Sequence, residues 1–213
     1  MAMPTSGDFT WTYGYDAVGR LVSLDDPIQR HRTLAYETMG NLIRVTNAAG
    51  ETTKRRYNAL NHVAQAIDPL LHSTSFAYNA PGLRAAITNA NNHTTQYAYD
   101  AAGQLITVTD AAGATTQFDY DIADRVTRVT NPMLAQTSFV YDVMDRVARV
   151  TDAMNHVATY RYDGVGRVIE ESETDELATC TPYPTCATFV TTYSYDGAGR
   201  PLQVTRPGNR TNS

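Results

Sequence analysis

Nine tyrosines stand on one lattice: Tyr15, Tyr36, Tyr57, Tyr78, Tyr99, Tyr120, Tyr141, Tyr162 and Tyr195. Seven successive gaps are 21 residues and the last is 33. A fixed period of this length signals repeated supersecondary units, none of which can bury its apolar face alone. Each lattice tyrosine is counted here as position 1. Position 2 is Asp, Glu or Asn throughout: Asp16, Glu37, Asn58, Asn79, Asp100, Asp121, Asp142, Asp163 and Asp196. Position 5 reads Gly19, Gly40, Asn61, Gly82, Gly103, Asp124, Asp145, Gly166 and Gly199. Those three residue types best tolerate the left-handed backbone conformation. The segment therefore predicts a type I turn closed by a bulge, a common hairpin connection.

A second turn falls half a period later. Position 12 reads Asp26, Asn47, Asp68, Asn89, Asp110, Asn131 and Asp152, then Glu173 and Arg206. Position 15 divides into two chemistries. It is Gly50, Asn92, Gly113 or Asn155 where position 13 is alanine, and Gln29, Leu71 or Leu134 where position 13 is Pro27, Pro69 or Pro132. Proline pre-sets the first central residue of a type I turn. Two turn variants are expected, one bulged at Gly or Asn and one stiffened by proline.

Two short segments lie between the turns. Positions 6–11 carry apolar residues at 8 and 10, such as Ile43 and Val45. The segment from position 16 into the next tyrosine alternates threonine, aromatic, tyrosine, as in 114–120. Alternation rich in β-branched and aromatic residues predicts strands with one favoured face. The chain is thus expected to be all-β, an array of consecutive antiparallel hairpins with about 17 strands by the turn count and no helix. Trp11–Tyr15 is the second strand of a truncated earlier repeat. The lattice tyrosines and the aromatics of position 20 should form ladders of cross-strand pairs. At about 4.8 Å per strand the sheet would be roughly 80 Å wide, and sheets that wide curl.

The array is expected over 11–206, with residues 1–10 as a tail or cloning addition and 207–213 as a second tail. Its largest break is a 12-residue insertion within 174–189, a loop candidate for function. Cys180 and Cys186 within it enclose TPYPT. They are read as a disulfide or paired thiols, with unrelated free thiols as the alternative. A metal would need more ligands than this loop offers.

The composition, 42% hydrophobic and 18% charged, suits a folded chain. A formal net charge of −5 argues against a nucleic-acid binder. No apolar run reaches the length of a membrane span. The opening residues show no basic region followed by an apolar run, so no signal peptide is expected. Of 17 basic residues only Lys54 is lysine, which fits arginines packed on rings and carboxylates or a coding bias. Lys54, Arg55 and Arg56 form the one basic cluster, read as a solvated strand.

Candidate chemistry is sparse. His72, His93 and His156 all fall at position 16, and His72 with His93 could hold a transition metal weakly, although exposed turn histidines are the simpler account. No nucleophile motif, zinc motif or phosphate loop occurs. Turn caps account for most carboxylates. No catalytic constellation, cofactor or resident metal is expected, and the chain is read as no enzyme.

The units YDAVGRLVSLDD, YDAAGQLITVTDAAGATTQFDY and YDGVGRVIE resemble the tyrosine-aspartate (YD) repeats of the Rhs family. That family includes bacterial Rhs polymorphic toxins, the B and C components of insecticidal toxin complexes, wall-associated proteins and teneurins. The resemblance covers residues 11–206. It implies a strip of hairpins that spirals into a hollow shell, which in bacterial members encloses a toxic C-terminal domain. The core-associated region with its aspartyl self-cleavage site is not matched, so no autoproteolytic residue is carried over. The resemblance implies a non-catalytic segment of an encapsulating shell, secreted or at the cell surface. Its expected partners are the remainder of a longer chain or a toxin cargo, with self-association through open strand edges. The alternative is a cell-surface module that binds glycans or proteins. In that reading the tyrosine ladder and the position-6 arginines, Arg20, Arg125, Arg146, Arg167 and Arg200, offer stacking platforms.

Overall fold

The computed structural model describes residues 10–175 and 188–206. Two compact units divide the chain, Met1–Ala98 with Thr109–Gly113, and Tyr99–Val108 with Ala114–Ser213. The first nine strands are β1 (Thr12–Tyr15), β2 (Leu21–Asp25), β3 (His31–Tyr36), β4 (Leu42–Thr46), β5 (Thr52–Tyr57), β6 (Val63–Ile67), β7 (Ser73–Tyr78), β8 (Arg84–Thr88) and β9 (Thr94–Tyr99). The other nine are β10 (Leu105–Thr109), β11 (Thr115–Tyr120), β12 (Val126–Thr130), β13 (Gln136–Tyr141), β14 (Val147–Thr151), β15 (His156–Tyr162), β16 (Val168–Asp175), β17 (Thr188–Tyr195) and β18 (Pro201–Thr205). From β1 to β9, and again from β11 to β18, each strand pairs antiparallel with the next in sequence. The described chain is therefore all-β and built of consecutive antiparallel hairpins, without a helix. The strands among the described residues number 18 rather than 17, because 17 connections join one more strand than their own number.

Most strands begin at position 7 or 17, one residue later than the sequence pattern indicates, while β15 begins at position 16 with His156. The reason lies in the turns. The position-2 amide donates to the position-6 carbonyl and the position-5 amide returns to the position-2 carbonyl, as in Asp142 N to Arg146 O (2.8 Å) and Asp145 N to Asp142 O (3.1 Å). Position 6 thus closes the turn. All nine residues at position 5 have positive φ, from 61° at Asn61 and Asp145 to 91° at Gly166.

The expected split of the second turn into two kinds is not what the chain adopts. Gln29, Leu71 and Leu134 have φ of 60°, 67° and 62°, beside 79° at Gly50 and 60° at Asn92. Both proline and alanine versions close with the same backbone bonds, as in Leu71 N to Asp68 O and Asn92 N to Asn89 O, each 3.0 Å. Proline fixes an earlier residue of the same bulged turn and does not replace the bulge. Two leucines and a glutamine are consequently held where side chains cost about 1–2 kcal/mol each.

The long insertion also differs. Residues 174–175 and 188–189, expected in the loop, belong to β16 and β17, with Thr174 opposite Thr188 and Glu173 opposite Phe189. Glu173 is a strand residue and not a turn cap. An elongated β15 pairs along all of β16, down to His156 opposite Asp175, which gives these extra residues a template. Cys180, Cys186 and their TPYPT spacer lie outside the described residues.

Side chains at positions 8, 10, 20 and 1 share one face. A register shift between positions 21 and 1 recurs in eight YD hairpins, setting Tyr36 opposite Leu42 and Tyr141 opposite Val147. This bulge adds local twist and lays each tyrosine over the sheet. Rings face aliphatic partners across the strand, Phe76 with Ile87 and Phe139 with Val150, so the expected aromatic pairs are aromatic–aliphatic ones. Among the described residues only Val157, Asp26 and Thr130 are buried. Each unit is a single layer whose cohesion is spread over half-buried contacts along the tyrosine face.

Candidate functional site

The repeated tyrosine–aspartate–arginine constellation begins with the turn cap. At position 2 of seven repeats, the carboxylate or amide oxygen Oδ1 accepts the amides of positions 4 and 6; Asn79 accepts that of position 6 alone, because position 4 is Pro81 there. In the 142–146 turn these bonds are 2.8 Å from Met144 N and 3.0 Å from Arg146 N. Asparagine does the same at Asn58, toward Leu60 N and His62 N. The second carboxylate oxygen is then free for charge. Asp16, Asp121, Asp142, Asp163 and Asp196 each bind the arginine four residues on, with Nε–Oδ2 distances of 2.6–2.8 Å. The Arg125 and Arg146 side-chain hydrogen bonds are the main cause that holds Asp121 and Asp142 below the usual carboxylate range. At Asp16, Asp163 and Asp196 the backbone amide of the arginine leads, again lowering the carboxyl.

The same guanidinium reaches forward over the tyrosine of the next repeat. Arg20 sits 4.8 Å from the Tyr36 ring centroid, Arg125 4.7 Å from Tyr141, Arg146 4.4 Å from Tyr162 and Arg167 4.7 Å from Tyr195. Arg20, Arg146 and Arg167 also donate to the position-2 carbonyl of that repeat, at 3.2–3.4 Å. Where position 6 is histidine, His62 covers Tyr78 instead, with ring centroids 4.7 Å apart. Asn41 and Gln104 reach the position-5 side chains of the following repeats, Asn61 and Asp124.

The tyrosine hydroxyl completes the connection. Tyr36, Tyr57, Tyr78, Tyr120, Tyr141 and Tyr162 each donate to the carbonyl 15 residues earlier, at 2.7–3.1 Å. Tyr195 donates to Val168, 27 residues back, because the insertion intervenes. That carbonyl belongs to position 7 of the preceding repeat. Each tyrosine therefore ties its own hairpin to the one before. This hydroxyl bond escaped the sequence reading, although its signal was present: position 1 is tyrosine nine times, whereas position 20 admits Phe76, Phe118 and Phe139.

The other candidates do not converge. His72 and His156 pair by Nδ1 with their own turn caps, Asp68 (3.0 Å) and Asp152 (2.9 Å), and His31 pairs with Asp25 (2.7 Å). The His93 amide caps on Asn89. Among the described residues no group of three or more His, Cys, Asp or Glu is arranged to hold a metal ion. Lys54, Arg55 and Arg56 lie exposed on β5. Position 10, apolar in the other repeats, is Glu171 in β16, where it accepts from the Tyr193 hydroxyl at 3.1 Å. That bond is the main cause that raises Tyr193 above the usual phenol range.

Fold and site together define a YD-repeat protein, in which tyrosine, aspartate and arginine hold hairpin to hairpin. Residues 71–210 match the teneurin YD-shell family and residues 36–70 match the RHS repeat, so the chain belongs to the Rhs/YD-repeat family. No curated protein matches significantly. Among solved structures, a Photorhabdus luminescens Tc holotoxin pore with a TccC3 mutation is similar at TM-score 0.56 and 13% identity, over 96% of this chain and 13% of that one. A TcdB2–TccC3–Cdc42 crystal structure aligns at TM-score 0.45 and 16% identity, over 95% of this chain and 15% of that one. The chain thus spans a small part of the length of the structures it resembles. The likeness to the pore structure is one of fold.

Proposed function

We propose that this chain is a structural segment of an Rhs-type shell, in which hairpins stack into a wall that encloses a toxin or other cargo. The carrying observation is that the YD-shell family match covers residues 71–210 while the lattice side chains there are engaged with one another. In that reading the chain performs no catalysis, is secreted or displayed as part of a longer Rhs-type protein, and has that protein's other repeats and cargo as partners. The domain reading that goes with it assigns 11–206 to the wall and the residues on either side to tails.

The test is electron microscopy of the longer protein with its cargo. The expected result places residues 11–206 in the wall of a hollow particle with density inside. Repeats packed face to face, without a lumen, would overturn the proposal.

Recognition of glycans by the tyrosine/arginine ladder is the weaker reading. Arg20, Arg125, Arg146 and Arg167 already cover the rings that a sugar would stack on. A glycan array that shows no binding above background retires it.

A further inference from the structure

The sheet face turned away from the tyrosines carries positions 9, 19 and 21. In two hairpins a base on this face meets an acid directly across the strand pair. Arg128 lies opposite Asp119 and binds it at 2.6 Å, and Arg161 lies opposite Glu170 and binds it at 3.0 Å. The strands from β3 to β6 break this pairing. Arg44 lies opposite Ala35 on one side and Lys54 on the other, and Arg56 lies opposite Gln65. Arg44, Lys54 and Arg56 thus share one face of β4 and β5 with no carboxylate across from any of them. All three are exposed, and among the described residues they hold no ion pair, hydrogen bond or ring. Arginines outside these strands are engaged, as Arg30 is with Asp26 and Arg84 with the Phe76 ring.

Like charges directly opposite one another destabilise a sheet. A chain with 22 acidic residues and a net charge of −5 nevertheless leaves Arg44 and Lys54 uncompensated. Local rules are broken in this way where a surface serves a function.

We infer that Arg44, Lys54 and Arg56 form a docking surface for an extended acidic segment of a partner protein, with carboxylates at alternate residues. Spacing and charge select this partner. Lys54 and Arg56 are alternate residues of β5, about 7 Å apart, and an extended peptide presents its alternate side chains at the same interval. Arg44 stands beside Lys54 at the cross-strand distance of about 5 Å, so two bases can share one carboxylate. The strands on either side offer short side chains on this face, Ala35 and Ser75, which leave room for a backbone to approach. A nucleic acid fits less well, because so small a basic patch on a negatively charged chain neutralises few phosphates. A membrane surface also fits less well, because no large apolar side chain of the strands from β3 to β7 is exposed for insertion. The surface serves whether or not the repeats enclose a lumen.

Lys54 is the only lysine and so reports on its own face. The probe is a labelled peptide of alternating glutamate and serine, blocked at both ends, with its glutamine counterpart as control. Added to the whole chain at low salt, the glutamate peptide should bind by fluorescence anisotropy, and a carbodiimide should couple it to Lys54. The triple variant Arg44→Gln, Lys54→Gln and Arg56→Gln should keep the parent's circular dichroism and bind about tenfold more weakly or worse. Arg56→Gln alone, a milder change beside Gln65, should weaken binding about threefold. Arg55→Gln removes one charge from the opposite, tyrosine face, and should leave both affinity and coupling unchanged. No binding by the parent, equal binding of the glutamine peptide, coupling that misses Lys54, or an equal loss in Arg55→Gln and Arg56→Gln would each overturn the inference. Tighter binding of an oligothymidine strand or of phosphatidylserine vesicles than of the glutamate peptide would overturn it as well.

Discussion

At position 1 the phenol oxygen carries the difference between an apolar ring and a tie between hairpins. Tyr141→Phe removes the 2.7 Å bond to the Val126 carbonyl and leaves ring packing in place. A loss of about 1 kcal/mol in urea-induced unfolding is expected, typical of one intramolecular hydrogen bond. Tyr15→Phe is expected to leave the monomer's stability unchanged, because Tyr15 has no preceding hairpin among the described residues to bond. The aspartates supply a pH dependence. Asp142 is held below its usual range, so the charged form binds the fold more strongly than the proton does. Its contribution is complete above the ordinary carboxylate value near pH ~4 and is lost as pH falls through the lowered value of the folded chain. Asp142→Asn keeps the amide cap, as native Asn58 does, and removes the ionisation. Acid titration of stability in this variant should be flatter than in the parent, and an equally steep acid limb would contradict the assignment.

Turns are the elements whose energetics the repeat exposes most clearly. Leu134 is exposed and sits at φ 62°. Leu134→Gly should stabilise by about 0.5–1 kcal/mol, the relief of left-handed strain less the backbone entropy of glycine. Gly166, at φ 91° with open space around it, gives the opposite sign. Gly166→Ala should cost about 1–2 kcal/mol through backbone strain alone. Equilibrium unfolding of both variants, compared with the parent, checks the pair. Gly82 differs again, since an added Cβ would lie 2.9 Å from the His62 ring that covers Tyr78. There the turn and the cover over the next tyrosine are coupled.

Stability of the whole molecule is expected to be a sum over hairpins and seams, because strands pair with their sequence neighbours in each unit and, among the described residues, no thick core links distant segments. In-frame deletion of residues 121–141 removes one period and rejoins Tyr120 to Asp142. The shortened chain should keep a β-rich circular dichroism spectrum and unfold with a proportionally smaller m-value. Inserting one alanine after Val129 shifts the following strand by one residue and turns its tyrosine face over. That variant should lose far more stability than deletion of the full period. Equal effects would mean that the period is not the structural unit.

The sequence by itself determined the period, the strand and turn alternation, the left-handed residue of each YD turn and the family. It could do so because these features depend on local backbone sterics and on internal repetition, both of which a single chain displays. Arg146 was legible as a residue that packs on a ring or pairs with a turn aspartate. Only the tertiary structure showed that one guanidinium does both, on Asp142 behind and Tyr162 ahead. It also decided that Leu71 and Leu134 take the glycine-like conformation, since turn closure by flanking strands outweighs a local preference of about 1–2 kcal/mol. The hydroxyl bond from each tyrosine to the carbonyl of the preceding hairpin belongs to the same class. Its partner lies 15 residues away and is a backbone atom that every residue type carries, so which carbonyl it reaches is set by strand register and the bulge.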